Sequence, residues 1–593
     1  MKVTVKEKRC VAIAATLVGA AAMTFVITGC ERPDWEDPDY VAEMLAEGDT
    51  SERRMAVEQL RNFPEDRRDE VASVAADVYL EEERLRSDVM QRLVEWRVEG
   101  AKKAYLEEVA ENHTGYASSA AQVLGQIGAS DAIPRMVEIF DETSDNDRRI
   151  GILRGLSHMP EPAAIEKAME VFELDVDNYP IGLHRAACNF VGGLATSHPD
   201  VIDEDVKRKL VYARFLAGED GRTTSEACGL AIQKVGVSMS PFLIEAFHGE
   251  NEEVQRLLMT YDNPSEGEHF PQNASKRTAA EHLSAMRAPD AVELFVEELG
   301  TTVEPPDNLS GDRLSHWRAR EAATINEMVR GLGDIGDPAA RPMLESVVKG
   351  EPFGEEWSEV IDATSAFQML QDSARSLARL GDGEARSALM EMTGADIIPG
   401  MAARFRAIER AAEEDDDINP YPLVEQLRPQ WVAAKSFTYL AESGDREEFE
   451  SLIEEIEDED LTEHLESFLV AFDIMDECED AEEEADRADC FAGFISSDEE
   501  HARNKAVLEL SRMSPQIAGP LVVDAMDTRD LDLREILTFA GYRVPTPEMA
   551  TAIEDILDSE SSRSGSQYQV DHRRLKMLQA WLQQYDFDSD GTE

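Results

Sequence analysis

The chain has 593 residues, with 123 Asp and Glu against 58 Lys and Arg, a formal net charge of −65. That balance excludes a nucleic-acid binder, which needs a basic footprint. A hydrophobic content of 42%, spread along the chain, excludes a disordered polyacid.

The first nine residues carry Lys2, Lys6, Lys8 and Arg9 against Glu7, and Val11 to Thr28 follows uncharged and rich in Ala, Val and Ile. These are the charged and apolar regions of an export signal. The stretch closes on Ile27-Thr28-Gly29-Cys30 and runs at once into Glu31-Arg32-Pro33-Asp34. That tetrad resembles the bacterial lipobox: aliphatic, small, small, cysteine. The resemblance implies diacylglyceryl attachment to the Cys30 sulfur, cleavage after Gly29 and acylation of the new amino terminus. Residues 1–29 are then a lipoprotein signal peptide, and residues 30–40 a short tether. The alternative is an uncleaved membrane helix of about 18 residues, the lower limit for spanning a bilayer. Two or three acyl chains anchor stably where one binds reversibly. Glu31 after the cysteine, in place of Asp, favours the outer membrane, with the chain facing the periplasm.

A module follows at Ala120-Ala121-Gln122-Val123-Leu124-Gly125-Gln126-Ile127-Gly128, with Pro134 six residues after the last glycine. Apolar residues at 120, 123, 124 and 127 keep one helix face. Gly128 is placed to stop the helix, small residues admit a close neighbour, and Pro134 suits the next first turn. The module recurs at Leu332-Gly333-Asp334-Ile335-Gly336-Asp337-Pro338 with Pro342, and more loosely at Leu510-Ser511-Arg512-Met513-Ser514 with Pro520. From Leu60 through Leu93 and Leu124 to Leu156 the steps are 33, 31 and 32 residues, and later steps widen. These units resemble HEAT repeats of the short kind also found in bilin lyases, a resemblance of scaffold alone. It implies an all-α fold, an α-solenoid stacking antiparallel helix pairs over residues 41–585. Rim loops are expected at 261–276, 300–316, 413–422 and 559–569.

Some HEAT-type proteins are iron-dependent hydroxylases with His-Glu dipeptides as ligands. None of the eleven histidines here precedes Glu, and no two lie three to five residues apart, which removes the usual helical metal pair. Gly331-Leu332-Gly333-Asp334-Ile335-Gly336 spells a dinucleotide fingerprint, but no strand precedes it and helix termination is the expectation. No catalytic residue, resident metal or cofactor is therefore expected. The tail at 586–593 places Asp586, Asp588 and Asp590 as the opening of a calcium loop. The chain ends before the bidentate Glu such a loop requires, so a frayed acidic tail is the plainer reading.

Export makes the cysteines matter. Cys478 and Cys490 flank an acidic run and would lie about 18 Å apart on one continuous helix, so bridging them requires a turn inside the run. Free cysteines at helix ends are the alternative. Cys188 and Cys228 occupy nearly the same position in adjacent units, and small buried packing residues are the expectation there. The six tryptophans are scattered, as packing residues would be.

Arg outnumbers Lys 44 to 14, which with so many acids resembles proteins facing saline surroundings. Salt of about 1 M shortens the Debye length to about 3 Å and quiets self-repulsion. The acidity otherwise suits a basic partner or divalent cations. The expected function is a membrane-anchored, non-enzymatic scaffold for a protein or peptide. An enzyme with a metal or cofactor site assembled across repeats, and a passive envelope component, are the alternatives.

Overall fold

Helix boundaries follow the punctuation in the sequence. Helix Pro38–Glu47 starts where the Asp37 carboxylate accepts from the Asp39 amide at 3.1 Å and Pro38 needs no partner for an amide it lacks. Thr50–Gln59 opens with a capping box, in which Asp49 accepts from the Glu52 amide and the Glu52 carboxylate accepts from the Asp49 amide at 2.8 Å. Gly128 (φ 67) and Gly336 (φ 75) take the left-handed conformation that ends both repeat helices, as the sequence predicts. Pro134 and Pro342 then lie in the first turns of Ile133–Glu142 and Arg341–Lys349. Pro520 departs from this pattern. It sits inside Pro515–Met526, because Pro515 has already taken the first turn.

The computed structural model describes residues 37–561 apart from 219–221, 261–269, 302–308, 350–362, 381–382, 395–428 and 457–458, together with 35, 563, 565–585 and 587. Among these residues the structure is all-α, its one extended feature being an isolated antiparallel bridge between Ala217 and Thr223. Three of the predicted loop ranges are helical in part. Phe270, Asp312 and Ser566 begin helices inside the ranges 261–276, 300–316 and 559–569, and Pro38 begins one inside the tether. Gly311 and Gly565, at the N-caps of two of these helices, let the chain turn without steric cost. The expected loop at 413–422 lies outside the described residues.

The chain forms two compact units, one ending at Gly155 and one beginning at Leu156. In the first, helices pack on a neighbour, on the next but one, or on both. Pro38–Glu47 meets Thr50–Gln59 and Arg68–Glu81, and Lys102–Glu111 meets Ala117–Gln126 and Ile133–Glu142. That alternation is the packing of a HEAT-like α-solenoid. Leu45, Leu60, Val71, Leu93 and Leu124 are fully buried along it, each contributing about 1.5–3 kcal/mol. Close approach needs glycine: a Cβ on Gly125 would lie 2.2 Å from the Gly155 carbonyl oxygen. One polar staple is also buried. The Glu108 carboxylate accepts from the Tyr79 hydroxyl at 2.6 Å, the Thr114 hydroxyl at 2.7 Å and the Thr114 and Tyr116 amides at 3.0 Å, fixing the turn between two helices.

The second unit repeats the alternation and then closes. Its inner helices run Ser225–Val235, Phe270–Ala285, Asp312–Ile335, Ala363–Leu380, Pro429–Leu440, Glu500–Leu510, Leu531–Arg543 and Ser566–Leu582, each packed on the next. The last returns to the first, so Ser566–Leu582 lies against Ser225–Val235. Ser225–Phe247 is apolar enough by length and composition to cross a membrane. It is mostly buried within this ring, however, and is interrupted at Gly236 (φ 75).

Candidate functional site

The closure is where charged chemistry converges. The last helix carries His572-Arg573-Arg574-Leu575-Lys576, a basic run in an acidic chain. Helical periodicity buries Asp571, Leu575 and Leu578, leaving the cationic side chains more exposed. Lys576 Nζ reaches Glu226 at 3.3 Å, and Arg573 pairs with Glu281. Glu226 also lies 3.7 Å from Arg185, and Glu281 lies 3.5 Å from Arg214. Beyond the helix, the Gln584 side-chain amide donates to the Gln233 carbonyl.

Behind these pairs His282 is buried, with Arg214 Nε donating to its Nε2 at 2.9 Å and the Gln233 amide 3.2 Å from its Nδ1. Burial and the Arg214 cation push His282 well below the ordinary histidine value, so it is neutral and Nε2 is an acceptor. Burial and the nearby Arg573 push Arg214 itself down to about 10. A void of about 20 Å³ between Gly229, Gln233, His282 and Arg573 has room for roughly one water. The arrangement holds a cationic helix face on carboxylates.

One group of metal-ligand types is found among the described residues: Glu560, Asp571 and His572. A cation already occupies their middle. The buried Arg534 guanidinium lies 2.7 Å from Asp571 and 3.0 Å from Glu560, and it also donates to the Thr528 carbonyl. His572 Nε2 and Arg563 Nη1 reach Glu560 at 3.1 Å and 3.0 Å. Burial raises the Glu560 pKa, but the hydrogen bonds from Arg534 and His572 outweigh it and leave the carboxyl below its usual range. This geometry is a buried ion network, and the sequence reading missed it because Arg534 and Asp571 at its centre are 37 residues apart.

Cys478 ends Val470–Glu479 and Cys490 lies in Glu484–Phe494, with the required turn between the helices. Their Cα atoms are 5.6 Å apart and the sulfurs are paired. Cys188 and Cys228 differ from the packing role expected of them. They are fully buried on Ile181–Ser197 and Ser225–Val235, with Cα atoms 4.8 Å apart and sulfurs paired. Equivalent positions in successive repeats face each other, which is why the two meet. Gly331 and Gly333 pack against Ser284 and Ser376 near the helix end, so the fingerprint-like run terminates and packs a helix. Trp96 and Trp317 are buried, and Trp581 meets Tyr542 edge-on at 5.1 Å. Cys30 and the calcium-loop candidates Asp586, Asp588 and Asp590 lie outside the described residues.

No protein-family model matches the sequence, and no curated protein matches it significantly. Solved structures align at low similarity. Importin beta in an ammonium sulfate condition is 10% identical over 92% of this chain and 73% of that chain, with a TM-score of 0.35. Yeast importin-beta (Kap95p) is 9% identical over 92% and 74%, with a TM-score of 0.33. Kap121p bound to Pho4p is 10% identical over 90% and 72%, with a TM-score of 0.29. At such low TM-scores the likeness carries no argument, and the HEAT-like assignment stands on the helix pairing.

Proposed function

We propose that this chain is a lipid-anchored protein of the bacterial envelope that binds, without catalysis, a basic segment of another protein. The observation that carries the reading is the closure seam. Glu226 lies against Lys576 across 350 residues, and Glu281 pairs with Arg573 beside it. The seam shows how carboxylates of this chain hold a basic helix, and the chain's other exposed carboxylates would serve a partner's helix in the same way. A net charge of −65 would steer such a segment towards the chain and make its binding weaken as salt rises. Two paired cysteine sets support an oxidising compartment. The lipobox resemblance at Cys30 supports a lipid anchor, and Glu31 supports an outer-membrane station facing the periplasm. The test is crosslinking in intact membranes followed by co-purification at low and high ionic strength. Captured proteins should present Lys- or Arg-rich helices, and their recovery should fall steeply with salt. Equal recovery at both ionic strengths overturns the electrostatic reading.

A further inference from the structure

Four inner helices of the second unit, Ala363–Leu380, Pro429–Leu440, Glu500–Leu510 and Leu531–Arg543, line a partly open cavity of about 330 Å³. That volume is at the lower end for small-molecule sites, which are mostly apolar with a few placed polar groups. One side is apolar, formed by Ala378, Leu508, Leu533, Ile536 and Phe539. Two guanidinium groups lie over Phe539, with Arg379 4.8 Å and Arg543 5.7 Å from its ring. Tyr439 also lines the cavity, its hydroxyl accepting from the Asn504 amide at 3.0 Å.

Most of the charges on the wall are already matched. Lys435 pairs with Glu500 at 2.9 Å, Glu535 with Arg574 at 2.8 Å, and Arg379 with Asp334. Arg503 lies 3.5 Å from Asp530 and donates to the Ser497 carbonyl at 2.8 Å. Arg375 and Asp532 are the exceptions. Both line the cavity and are exposed, and among the described residues neither side chain has a hydrogen bond or ion pair.

We infer that this cavity binds a zwitterion with an apolar body, namely an apolar amino acid or dipeptide with free amino and carboxyl ends. Arg375 donates through its planar fork to the carboxylate, and Asp532 accepts from the ammonium group. The apolar side chains lie against Ile536 and Phe539. Asp532 selects the zwitterion over a simple anion, because a lone carboxylate would bring a second negative charge to an unneutralised one. Among the described residues the wall offers one unpaired group of each sign, and such a ligand meets both at once.

The site is independent of the scaffold reading, so either can fail alone. The test is calorimetric titration of the full chain in lipid nanodiscs with dileucine, its C-terminal amide and its N-acetyl derivative. Dileucine should bind about tenfold more tightly than either derivative, the worth of one charge-assisted contact. Arg375→Gln should abolish the discrimination against the amide and keep that against the acetyl form, while Asp532→Asn should do the reverse. Both residues are exposed, so an unchanged melting temperature verifies that each variant folds. Absence of dileucine binding overturns the inference. So does equal affinity for all three probes, or discrimination that survives both substitutions.

Discussion

Replacing Arg534 by Met should loosen the C-terminal end of the second unit more than any surface change there. The Arg534 side chain is 0% exposed, and its partners Glu560 and Asp571 are 6% and 3% exposed. Removing one member of a buried ion pair costs about 3–5 kcal/mol, because the other charge is left without compensation. Glu560 keeps Arg563 at 3.0 Å and His572 at 3.1 Å, so its share of the loss is small. Asp571 keeps no cation, and its Oδ1 already lacks a hydrogen-bond partner. The expected loss is therefore at the low end, about 3 kcal/mol, which is roughly a hundredfold in local opening. Amide hydrogen exchange along Ser566–Leu582 reads this directly. Adding Asp571→Leu removes the stranded charge and should recover at least half of the protection. Exchange that rises less than about threefold in the single variant would refute the argument, since no buried charge of consequence was then stranded.

The neutral His282 makes the closure sensitive to acid. Its folded-state pKa lies below the ordinary 6.5, so the stability it contributes is present above that value and is lost as pH falls towards the lowered one. The melting temperature should decline between neutral and mildly acidic pH, and His282→Asn should flatten the decline; an unchanged slope removes His282 from the account. A thiol count on the denatured, unreduced protein should find none of Cys188, Cys228, Cys478 and Cys490 free. By loop length, about 4 kcal/mol should be lost on reducing the 40-residue bridge and about 3 kcal/mol on reducing the 12-residue one, and unfolding curves with and without reductant check this. Cys30→Ser should move the protein from the membrane to the soluble fraction and abolish incorporation of labelled palmitate. Continued fractionation with membranes would favour an uncleaved N-terminal helix.

Local features of this fold were readable from the chain. The helix ending at Gly128, the helix ending at Gly336 and the prolines at 134 and 342 follow from a few adjacent residues, because capping and φ preference act over one turn. Pro520 was misplaced because its offset from the preceding segment matched, while Pro515 won the first turn. Cys188 and Cys228 were seen to be equivalent in successive repeats, yet facing positions were needed to make them partners. The closure was out of reach. Its contacts join residues about 350 apart through charged and amide side chains that would be equally at home in water. Arg375 and Asp532 carry no motif at all, and what marks them is their place on the cavity wall without a hydrogen bond or ion pair among the described residues.

The return of Ser566–Leu582 to Ser225–Val235 changes how the second unit can be built and how it can evolve. An open stack can fold from either end and can gain or lose a repeat with only nearest-neighbour consequences. A circle cannot, because each insertion alters the angle through which every other helix must turn for the ends to meet. Folding is also bound to the order of synthesis. Residues 225–235 are made early and wait for a partner about 350 positions behind them, so the face that Ser566–Leu582 covers is bare until that helix has been made. Chaperone demand should therefore peak late, and truncation near residue 560 should be far more damaging than loss of an equal length from the first unit.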